Sequence, residues 1–483
     1  MAASFALSGL AILRDPLVNE DGVLFLVQAE AILSGGMASA LQVFGLSFYS
    51  VLIAGVQVLT GLGSMASAQL LDASLLALLT VSFAQLLELL GTERRFFFWG
   101  ALALLLFPRL NEYRGHIAED LGFWAFLIAS LVPLTRYLSH PRWRHALGWA
   151  LLTAAGAAFR PEALLFGAVL PLACLARTTE PPRGEAMLRL YAAALGLAAL
   201  PLVAAARFGF MPPLADAVFG SIRDLVQEVR TGFGHAAAQY AAHVLNSRAR
   251  ELTYVSLATG LFAVLMVELA RSIGLAYLAL LGWAGVTRRA LLPESGRGLQ
   301  RTLALGGAIM AAAFLASRQF VGARQLMPLC LALIIPCAFA ARELLISAAH
   351  STKPLAARAG LALLVLALLA AGFLDPGSRR SYLPESISWI QRTIAPGSHI
   401  FTNDARLAYY SGGRVDWAGI GSAQAQIESG AAPREGNDYW LIHLDGRDTA
   451  LEPALERYRT TLEPIARFGA PGGAGVLVMR SLR

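Results

Sequence analysis

Long apolar runs, separated by short loops rich in arginine, restrict the folds that this sequence can adopt. Of the 483 residues, 56% are hydrophobic and only 15% are charged, and the mean hydropathy is +0.57. Soluble domains carry nearer to about 25% charged residues. A helix of about 20 apolar residues is long enough to cross a bilayer. The chain is therefore predicted to be an all-α polytopic membrane protein, at least over its first three quarters.

About eleven membrane spans are predicted. Residues 2–13 are predicted to form a short first span, with a true start upstream as the alternative, and they lack the basic region and cleavage site of a signal peptide. Residues 43–62 are apolar but contain glycine and polar residues, so they are predicted to form a surface or re-entrant helix. Residues 251–287 are long enough for one kinked crossing or two short ones. The clearer runs are 67–90, 96–108, 121–138, 146–159, 162–176, 188–206, 251–287, 302–317, 325–346 and 359–374.

Basic loops predict the orientation, because cytoplasmic loops of membrane proteins are enriched in lysine and arginine. Five loops hold many of the basic residues: 92–95, 136–145, 177–189, 287–301 and 342–358. If all five are cytoplasmic and 251–287 crosses once, the other loops are external. The predicted external segments are 14–66, 109–120, 207–250, 318–324 and everything after about residue 375.

The composition changes at about residue 375, where the long apolar runs stop and glycine, proline, aspartate and arginine become frequent. Short strands are predicted at 399–402, 439–443 and 476–479, and helices at 384–394 and 452–462. Strands that alternate with helices indicate an α/β domain. The predicted organisation is a transmembrane domain over 1–374 followed by a small extracytoplasmic α/β domain over 375–483.

The net charge of +7 and the pI near 9.6 do not indicate a nucleic-acid-binding protein. The basic residues lie in short loops between apolar runs, which is the pattern that sets membrane orientation. Cys174, Cys330 and Cys337 lie in apolar stretches without the spacing of metal ligands, and they are interpreted as small core residues.

Two acidic pairs, Glu20-Asp21 and Glu119-Asp120, lie beside apolar runs. A carboxylate at a membrane boundary is costly to desolvate, so a functional role is the first hypothesis for each pair. The first pair precedes an amphipathic stretch, Val23–Leu33, that is closed by Ser34-Gly35-Gly36. A carboxylate there could act as a general base. The simpler alternative is that Asp21 caps the helix.

The second pair begins the predicted span at 121–138, where stabilisation by the helix dipole is the simpler explanation. The preceding loop also contains Arg114 and His116, which is more ionisable groups than capping requires. Glu119, Asp120 and His116 are therefore candidate ligands for a divalent metal ion, although their spacing is not diagnostic.

Three further arginines are candidates for binding an anion. Arg160 belongs to Arg160-Pro161-Glu162, which breaks a helix at membrane depth, where irregular backbone either is buried in protein or lines a cavity. The alternative is that Arg160 and Glu162 neutralise each other in a bend. Arg318 and Arg324 lie in a short loop that is predicted to be external, against the positive-inside pattern. A guanidinium can donate two hydrogen bonds to a phosphate, which favours phosphate binding over a solvated turn.

Taken together, these elements resemble the GT-C glycosyltransferases, and among them the aminoarabinose transferases and protein O-mannosyltransferases. In that family the first loop carries Asp-Glu, an aromatic residue and an amphipathic helix that ends in a small-residue turn. Here the corresponding residues are Glu20-Asp21-Gly-Val-Leu-Phe25 and Ser34-Gly35-Gly36, with the acidic order reversed. The late segment Ser317–Pro328 is similar to the family's basic stretch. The tail at 387–414 resembles the soluble domain of bacterial members.

The resemblance implies an enzyme of the bacterial inner membrane that transfers a sugar from a polyprenyl-phosphate donor to an extracytoplasmic lipid, glycan or protein. Arg318 or Arg324 would meet the donor phosphate, with Arg160 and Arg114 as further candidates. Asp21 would accept the proton of the attacking group, and Glu20 stays a candidate for that role. The donor carries its own lipid, so the absence of a nucleotide-phosphate loop motif is expected.

Two other classes stay open. Broken helices and buried charges also suit a transporter or flippase, but the inverted repeats typical of transporters are not visible in the sequence. A non-catalytic subunit of an envelope polysaccharide system would explain the spans but not the clustered acids.

Overall fold

The structure is a computed structural model, and it describes most of the chain. It leaves out residues 46, 92, 177–181, 208–210, 287–291, 293, 350–358, 361, 364, 367, 369–381, 433–435, 446–449, 471, 472 and 483. Most of the predicted span at 359–374 therefore lies outside the described residues. So do parts of the predicted basic loops at 92–95, 177–189, 287–301 and 342–358, and the start of the predicted C-terminal domain.

The chain divides into two compact units. The first, here called the helical unit, comprises Met1–Ala11, Ala73–Arg114 and Glu119–Leu374. The second, here called the mixed unit, comprises Ile12–Asp72, Gly115–Ala118 and Asp375–Arg483. The mixed unit thus combines the segment that carries Glu20 and Asp21 with the C-terminal region, whose composition differs from the rest of the chain.

Helices account for most of the described chain before residue 382. They are α1 Ala2–Arg14, α2 Glu20–Ala40, α3 Phe48–Thr60, α4 Ser64–Gly91, α5 Arg95–Leu105, α6 Pro108–Glu112, α7 Asp120–Ser139, α8 Trp143–Phe159, α9 Ala163–Val169, α10 Arg183–Arg207, α11 Met211–His243, α12 Thr253–Ile273, α13 Leu275–Val286, α14 Glu294–Arg318 and α15 Ala323–Ala349. Short 3-10 helices follow α6 and α9 and precede α12, at Tyr113–Gly115, Leu170–Ala176 and Ser247–Leu252.

Within the described residues, six helices are long and apolar enough to cross a membrane: Glu20–Ala40, Ser64–Gly91, Asp120–Ser139, Arg248–Ile273, Gly296–Arg318 and Ala323–Ile346. This confirms the predicted helical class, while the count of about eleven spans stays a prediction. The helix at Arg248–Ile273 has only 6% of its most apolar window buried, although its mean hydropathy there is 1.8. Because such a surface is unfavourable in water, it suits contact with lipid.

The structure adds detail to two predicted segments. The 251–287 stretch is two helices, α12 and α13, because Gly274 adopts φ 82° and breaks the helix between them. The orientation that assumed a single crossing there stays a prediction. Residues 207–250, predicted as an external loop, consist mostly of the 33-residue helix α11. The sequence lacks a sustained apolar run there, so apolar length alone did not reveal the helix.

A five-stranded sheet forms the C-terminal part of the mixed unit. Its strands are β1 His399–Thr402, β2 Arg414–Val415, β3 Tyr439–Leu444, β4 Leu462–Gly469 and β5 Gly475–Ser481, in the order β2-β1-β3-β5-β4. Strand β1 pairs in parallel with β2 and β3, and β5 pairs antiparallel with β3 and β4. The accompanying helices are α16 Tyr382–Thr393, α17 Ala405–Ser411, α18 Ile420–Ser429 and α19 Leu451–Leu455.

Side chains that alternate along the strands pack into two apolar cores, one on each face of the sheet. Trp440 and Ile442 on β3 belong to one buried cluster, whereas Leu441, between them, belongs to the other. The predicted small α/β region and its three predicted strands are confirmed. The predicted helix at 452–462 extends too far, because residues 462–469 form β4. Pro464 lies within β4, where its missing N–H is tolerated because β4 is an edge strand.

Candidate functional site

The first acidic pair occupies the first turn of α2. Asn19 is the N-cap residue, and its side chain does not bond to the helix. Instead, the Asn19 amide nitrogen donates to the carbonyl oxygen of Ile117 at 3.1 Å, and the Ile117 backbone N–H donates to the amide oxygen at 2.8 Å. Glu20 and Asp21 both lie exposed at the start of the helix. The N-cap position that the sequence offered as the simpler role of Asp21 therefore belongs to Asn19.

Gly22 allows the segment 115–118 to approach this turn closely. A Cβ atom at Gly22 would lie 2.7 Å from the Asn19 side-chain oxygen and 2.9 Å from both Ile117 Cβ and Val18 Cγ1. Any larger residue would push Ile117 away and break the paired hydrogen bonds from Asn19. The glycine that follows the acidic pair thus fixes the geometry of the first turn. The stretch that was predicted to close at Ser34-Gly35-Gly36 is instead kinked there, since Gly36 has φ 73°, and α2 continues to Ala40.

The second acidic site is an ion-pair cluster in the helical unit. Asp120 begins α7 and is 3% exposed. The Arg160 NH1 group donates to Asp120 Oδ1 at 2.7 Å, and Arg160 also donates two hydrogen bonds to Glu162, at 2.7 and 3.3 Å. Arg160 is the extended residue that ends α8, so the helix break predicted at this position is present. The predicted pair with Glu162 forms, and Asp120 joins it from 40 residues away.

Arg324 lies on the other side of the same carboxylate. Its NH1 atom is 3.6 Å from Asp120 Oδ2, which is an ion pair but is too long for a hydrogen bond. Among the described residues, no group hydrogen-bonds to Asp120 Oδ2, although this oxygen is buried. The side chain of Arg324 is 38% exposed. The cluster therefore contains the firmly bonded guanidinium of Arg160, the partly exposed guanidinium of Arg324, and the buried carboxylate of Asp120 that contacts both.

The two other predicted arginines have different partners. The Arg318 guanidinium lies 2.8 Å from Glu228 of α11, and its side chain is 62% exposed. Arg114 is buried, and it donates to Asn111 at 2.7 Å and to the side chains of Ser4 and Ser8 at 3.1 and 3.2 Å. Of the four candidate phosphate ligands, the structure brings Arg160 and Arg324 together at Asp120, whereas Arg114 fastens α1 inside the helical unit.

The candidate metal ligands do not form a cluster in the part of the chain that the structure describes. No group of three or more histidine, cysteine, aspartate and glutamate side chains there could hold a metal ion. His116 belongs to the mixed unit, whereas Glu119 and Asp120 belong to the helical unit. Glu119 immediately precedes α7 as its N-cap residue, and its charge acts on Arg160.

Sequence reasoning missed a buried charged cluster at the carboxyl ends of the parallel strands β1 and β3. Asp404 is 1% exposed and accepts hydrogen bonds from Arg406 Nε at 3.0 Å and Arg406 NH2 at 2.5 Å. His443 Nδ1 lies 3.3 Å from Asp404, and its Nε2 atom is 3.2 Å from the Tyr382 hydroxyl. Burial tends to raise the pKa of Asp404, but the hydrogen bond and charge of Arg406 and the charge of His443 bring it below the ordinary value.

A sequence signal for this cluster was present. Asp404 directly follows a predicted strand and precedes a short helix, whose first turn it caps by accepting the Arg406 N–H at 2.8 Å. Polar residues that follow parallel strands meet at one edge of a sheet. The partner His443 ends the predicted strand at 439–443, and the Asn403 side chain holds its backbone through hydrogen bonds of 2.8 and 2.9 Å.

No protein-family model matches the chain, and no curated protein matches its sequence. Several solved structures are similar to it, and two of them are described here. The crystal structure of ArnT from Cupriavidus metallidurans bound to undecaprenyl phosphate is 12% identical, with a TM-score of 0.42 over 99% of this chain and 96% of that chain. The archaeal oligosaccharyltransferase AglB from Archaeoglobus fulgidus, in complex with an inhibitory peptide and a dolichol-phosphate, is 10% identical, with a TM-score of 0.45 over 98% of this chain and 74% of that chain.

Both proteins are GT-C superfamily glycosyltransferases, the family that the sequence resembles. Their identities and TM-scores are low, so neither similarity assigns a function to this chain.

Proposed function

We propose that this chain is an integral membrane glycosyltransferase that transfers a sugar from a polyprenyl-phosphate donor to an extracytoplasmic acceptor. The observation that supports this best is the cluster in which Arg160 and Arg324 flank the buried Asp120. Ionisable groups among apolar helices are expensive and usually functional. A stable buried pair needs only one arginine, and Arg160 supplies it with short hydrogen bonds to Asp120 and Glu162.

Arg324 is the proposed ligand of the donor phosphate. Its contact with Asp120 is 3.6 Å long, so exchanging this one contact for a phosphate oxygen breaks no hydrogen bond to Asp120. The planar guanidinium can then donate two parallel hydrogen bonds to the phosphate. Arg160 keeps the neighbouring carboxylates neutralised, which favours the approach of an anion. Arg318 stays a second candidate, and its ion pair with the exposed Glu228 would have to open.

In the proposed reaction, Asp21 accepts the proton of the acceptor hydroxyl or amine while that group attacks the anomeric carbon. The bond between the anomeric carbon and the phosphate oxygen breaks, and polyprenyl phosphate leaves with the bonding electrons. The guanidinium of Arg324 stabilises the charge that develops on the leaving phosphate. Asp21 is exposed in the first turn of α2, so an acceptor can reach it. Glu20 is the alternative base.

Donor binding is tested by thermal unfolding of the purified full chain in detergent, with a polyprenyl phosphate or the matching polyprenol added. A ligand that binds only the folded chain stabilises it by about 2.7 kcal/mol at a hundredfold excess over its Kd. We expect the phosphate to raise the Tm and the alcohol to do so far less. The increase should be lost in Arg324→Ala and partly restored in Arg324→Lys, which keeps the charge but not the fork. Arg318→Ala tests the second candidate: it should keep the increase, whereas loss of the increase in Arg318→Ala alone would move the assignment to Arg318. Equal stabilisation by the alcohol, or an undiminished response of Arg324→Ala, would contradict the assignment.

Transfer is tested by incubating the protein with a polyprenyl-phosphate sugar and a bacterial membrane extract as the source of acceptors. A transferase releases polyprenyl phosphate, which mass spectrometry detects. A flippase would leave the donor intact. If the donor stays unchanged although the protein is folded and binds the lipid, the proposed transferase activity is rejected.

A further inference from the structure

Helix α17 of the C-terminal region packs against α2, the helix that carries the acidic pair. Arg406, Tyr409 and Tyr410 are spaced at i, i+3 and i+4, so they share one face of α17. The Val18 backbone N–H donates to the Tyr410 hydroxyl at 3.2 Å, just before α2 begins. Further along α2, Glu30 accepts a hydrogen bond of 2.5 Å from Ser64, which also bonds to Tyr409. The face of α17 therefore contacts the chain just before α2 and, through Ser64 at the start of α4, is linked to Glu30 of α2.

Arg406, on this face, is held by Asp404. Asp404 accepts hydrogen bonds from two nitrogen atoms of its guanidinium, at 3.0 and 2.5 Å, which fixes the plane of the group. The side chain of Arg406 is only 11% exposed. Asp404 is in turn contacted by His443, whose backbone is held by Asn403. The position of the Arg406 charge is thus set by the sheet.

Glu20 lies in the field of this fixed cation. Burial tends to lower the pKa of Arg406, but the hydrogen bond and charge of Asp404 and the charge of Glu20 raise it above the ordinary value. Arg406 is therefore a permanent cation near Glu20. Successive helical residues differ in direction by about 100°, so Glu20 and Asp21 project from different sides of α2. A cation that attracts Glu20 therefore does not attract Asp21 in the same direction, so the two acids of the pair have different electrostatic surroundings.

We propose that Arg406 is a positioning residue: from the face of α17 that packs beside the start of α2, its fixed charge attracts Glu20, and through the first turn of α2 it sets the direction of Asp21. The C-terminal α/β region would then contribute a residue that orients the acidic pair. This inference rests on the proposed function, in which Asp21 is the base.

Steady-state kinetics of the full chain test the proposal, with polyprenyl-phosphate sugar as the varied substrate. A small misplacement of a reacting group can cost about 100-fold in rate. We therefore expect Arg406→Met to lower kcat by about 10- to 100-fold while the KM for the donor changes little, because Arg406 does not bind the phosphate. Arg406→Lys should recover part of kcat, since it restores the charge without the two-pronged hydrogen bond. Arg392→Met, which removes an exposed arginine of α16, is the matched control and should keep the wild-type kcat.

A double-mutant cycle separates positioning from a general loss of structure. If Arg406 acts through Glu20, the double variant Glu20→Gln/Arg406→Met should lose no more kcat than the worse single variant. A kcat loss in the double variant equal to the product of the two single losses would overturn the proposal. So would an Arg406→Met variant with normal kcat. A Glu20→Gln variant as inactive as Asp21→Asn would also overturn it, because Glu20 would then be the base.

The Tm increase on adding polyprenyl phosphate reports whether each variant keeps a folded donor site. A loss of kcat accompanied by loss of this increase would show unfolding and reject a positioning role. If the wild-type chain binds the donor but transfers nothing, the proposed function fails. If the wild-type chain transfers and Arg406→Met transfers equally well, only this inference fails.

Discussion

At the scale of single residues, the acidic groups of this chain differ in how strongly their surroundings hold them. Asp120 is buried and bonded to Arg160, and Asp404 is buried and bonded to Arg406. Asp21 is exposed in the first turn of a helix. A buried, paired carboxylate is costly to disturb, whereas an exposed one can be changed without harming the fold. The effects of substitution should therefore separate activity from stability.

Replacing Asp21 with asparagine should abolish most of the transfer and leave the protein folded. The amide has nearly the same shape but does not accept a proton at neutral pH, and loss of a general base typically costs about 10²–10⁴-fold. The measurement is the rate of polyprenyl phosphate release, together with the Tm. Near-normal turnover in Asp21→Asn with an inactive Glu20→Gln would move the base by one residue, and full activity in both would leave this turn without a catalytic role.

Replacing Asp404 with asparagine should destabilise the chain in a pH-dependent way. Removing one partner of a buried ion pair costs about 3–5 kcal/mol. The pKa of Asp404 lies below its ordinary value of 3.8 in the folded chain, so the carboxylate stabilises the fold at higher pH. That stabilisation is lost as the pH falls below about 4 and through the lowered pKa. The Tm difference between wild type and Asp404→Asn should be large at pH 7 and shrink towards pH 3. A difference that is the same at both pH values would contradict this role.

At the scale of helices and strands, the first turn of α2 depends on one glycine. A methyl group at Gly22 would overlap Asn19, Ile117 and Val18, and overpacking of this kind costs about 1–3 kcal/mol. Gly22→Ala should therefore lower both the stability and the transfer rate. Gly55→Ala in α3 is the matched control, because nothing lies within 4 Å of its added methyl group. Alanine in a helix is favoured over glycine by about 0.5–1 kcal/mol, so Gly55→Ala should be neutral or stabilising. Equal destabilisation by the two variants would rule out a special role for Gly22.

Most helices and strands were predictable from the sequence, and the exceptions have physical reasons. Apolar runs and strand-forming stretches predicted most helices and three strands, and the small residues at 34–36 marked the place where α2 kinks. The two-residue strand β2 and the edge strand β4 were missed, since one is too short for a pattern and the other contains Pro464. Of the site, the local Arg160–Glu162 pair was predictable from its spacing. The contacts of Asp120 with Arg160 and Arg324 join residues 40 and 204 positions apart, and no local pattern records them.

At the scale of the whole molecule, the mixed unit takes its chain from three separate regions of the sequence. Leu17, which precedes the acidic pair, packs against the same apolar cluster as Leu441 and Val478 of the sheet. The C-terminal region therefore shares a core with the segment that carries Glu20 and Asp21. Because they share a core, these two regions must lie in the same compartment.

This requirement makes the predicted orientation testable at two distant points of the chain. The native cysteines Cys174, Cys330 and Cys337 are buried, so a single introduced cysteine can be labelled over a low background. Asp416 in the C-terminal region and Arg142 in a predicted cytoplasmic loop are both exposed. In intact spheroplasts, a membrane-impermeant maleimide should label Asp416→Cys, and it should label Arg142→Cys only after the membrane is permeabilised. A protected Asp416→Cys would place the sheet in the cytoplasm. The acidic pair of α2 would then lie there too, and the proposed extracytoplasmic transfer would have to be abandoned.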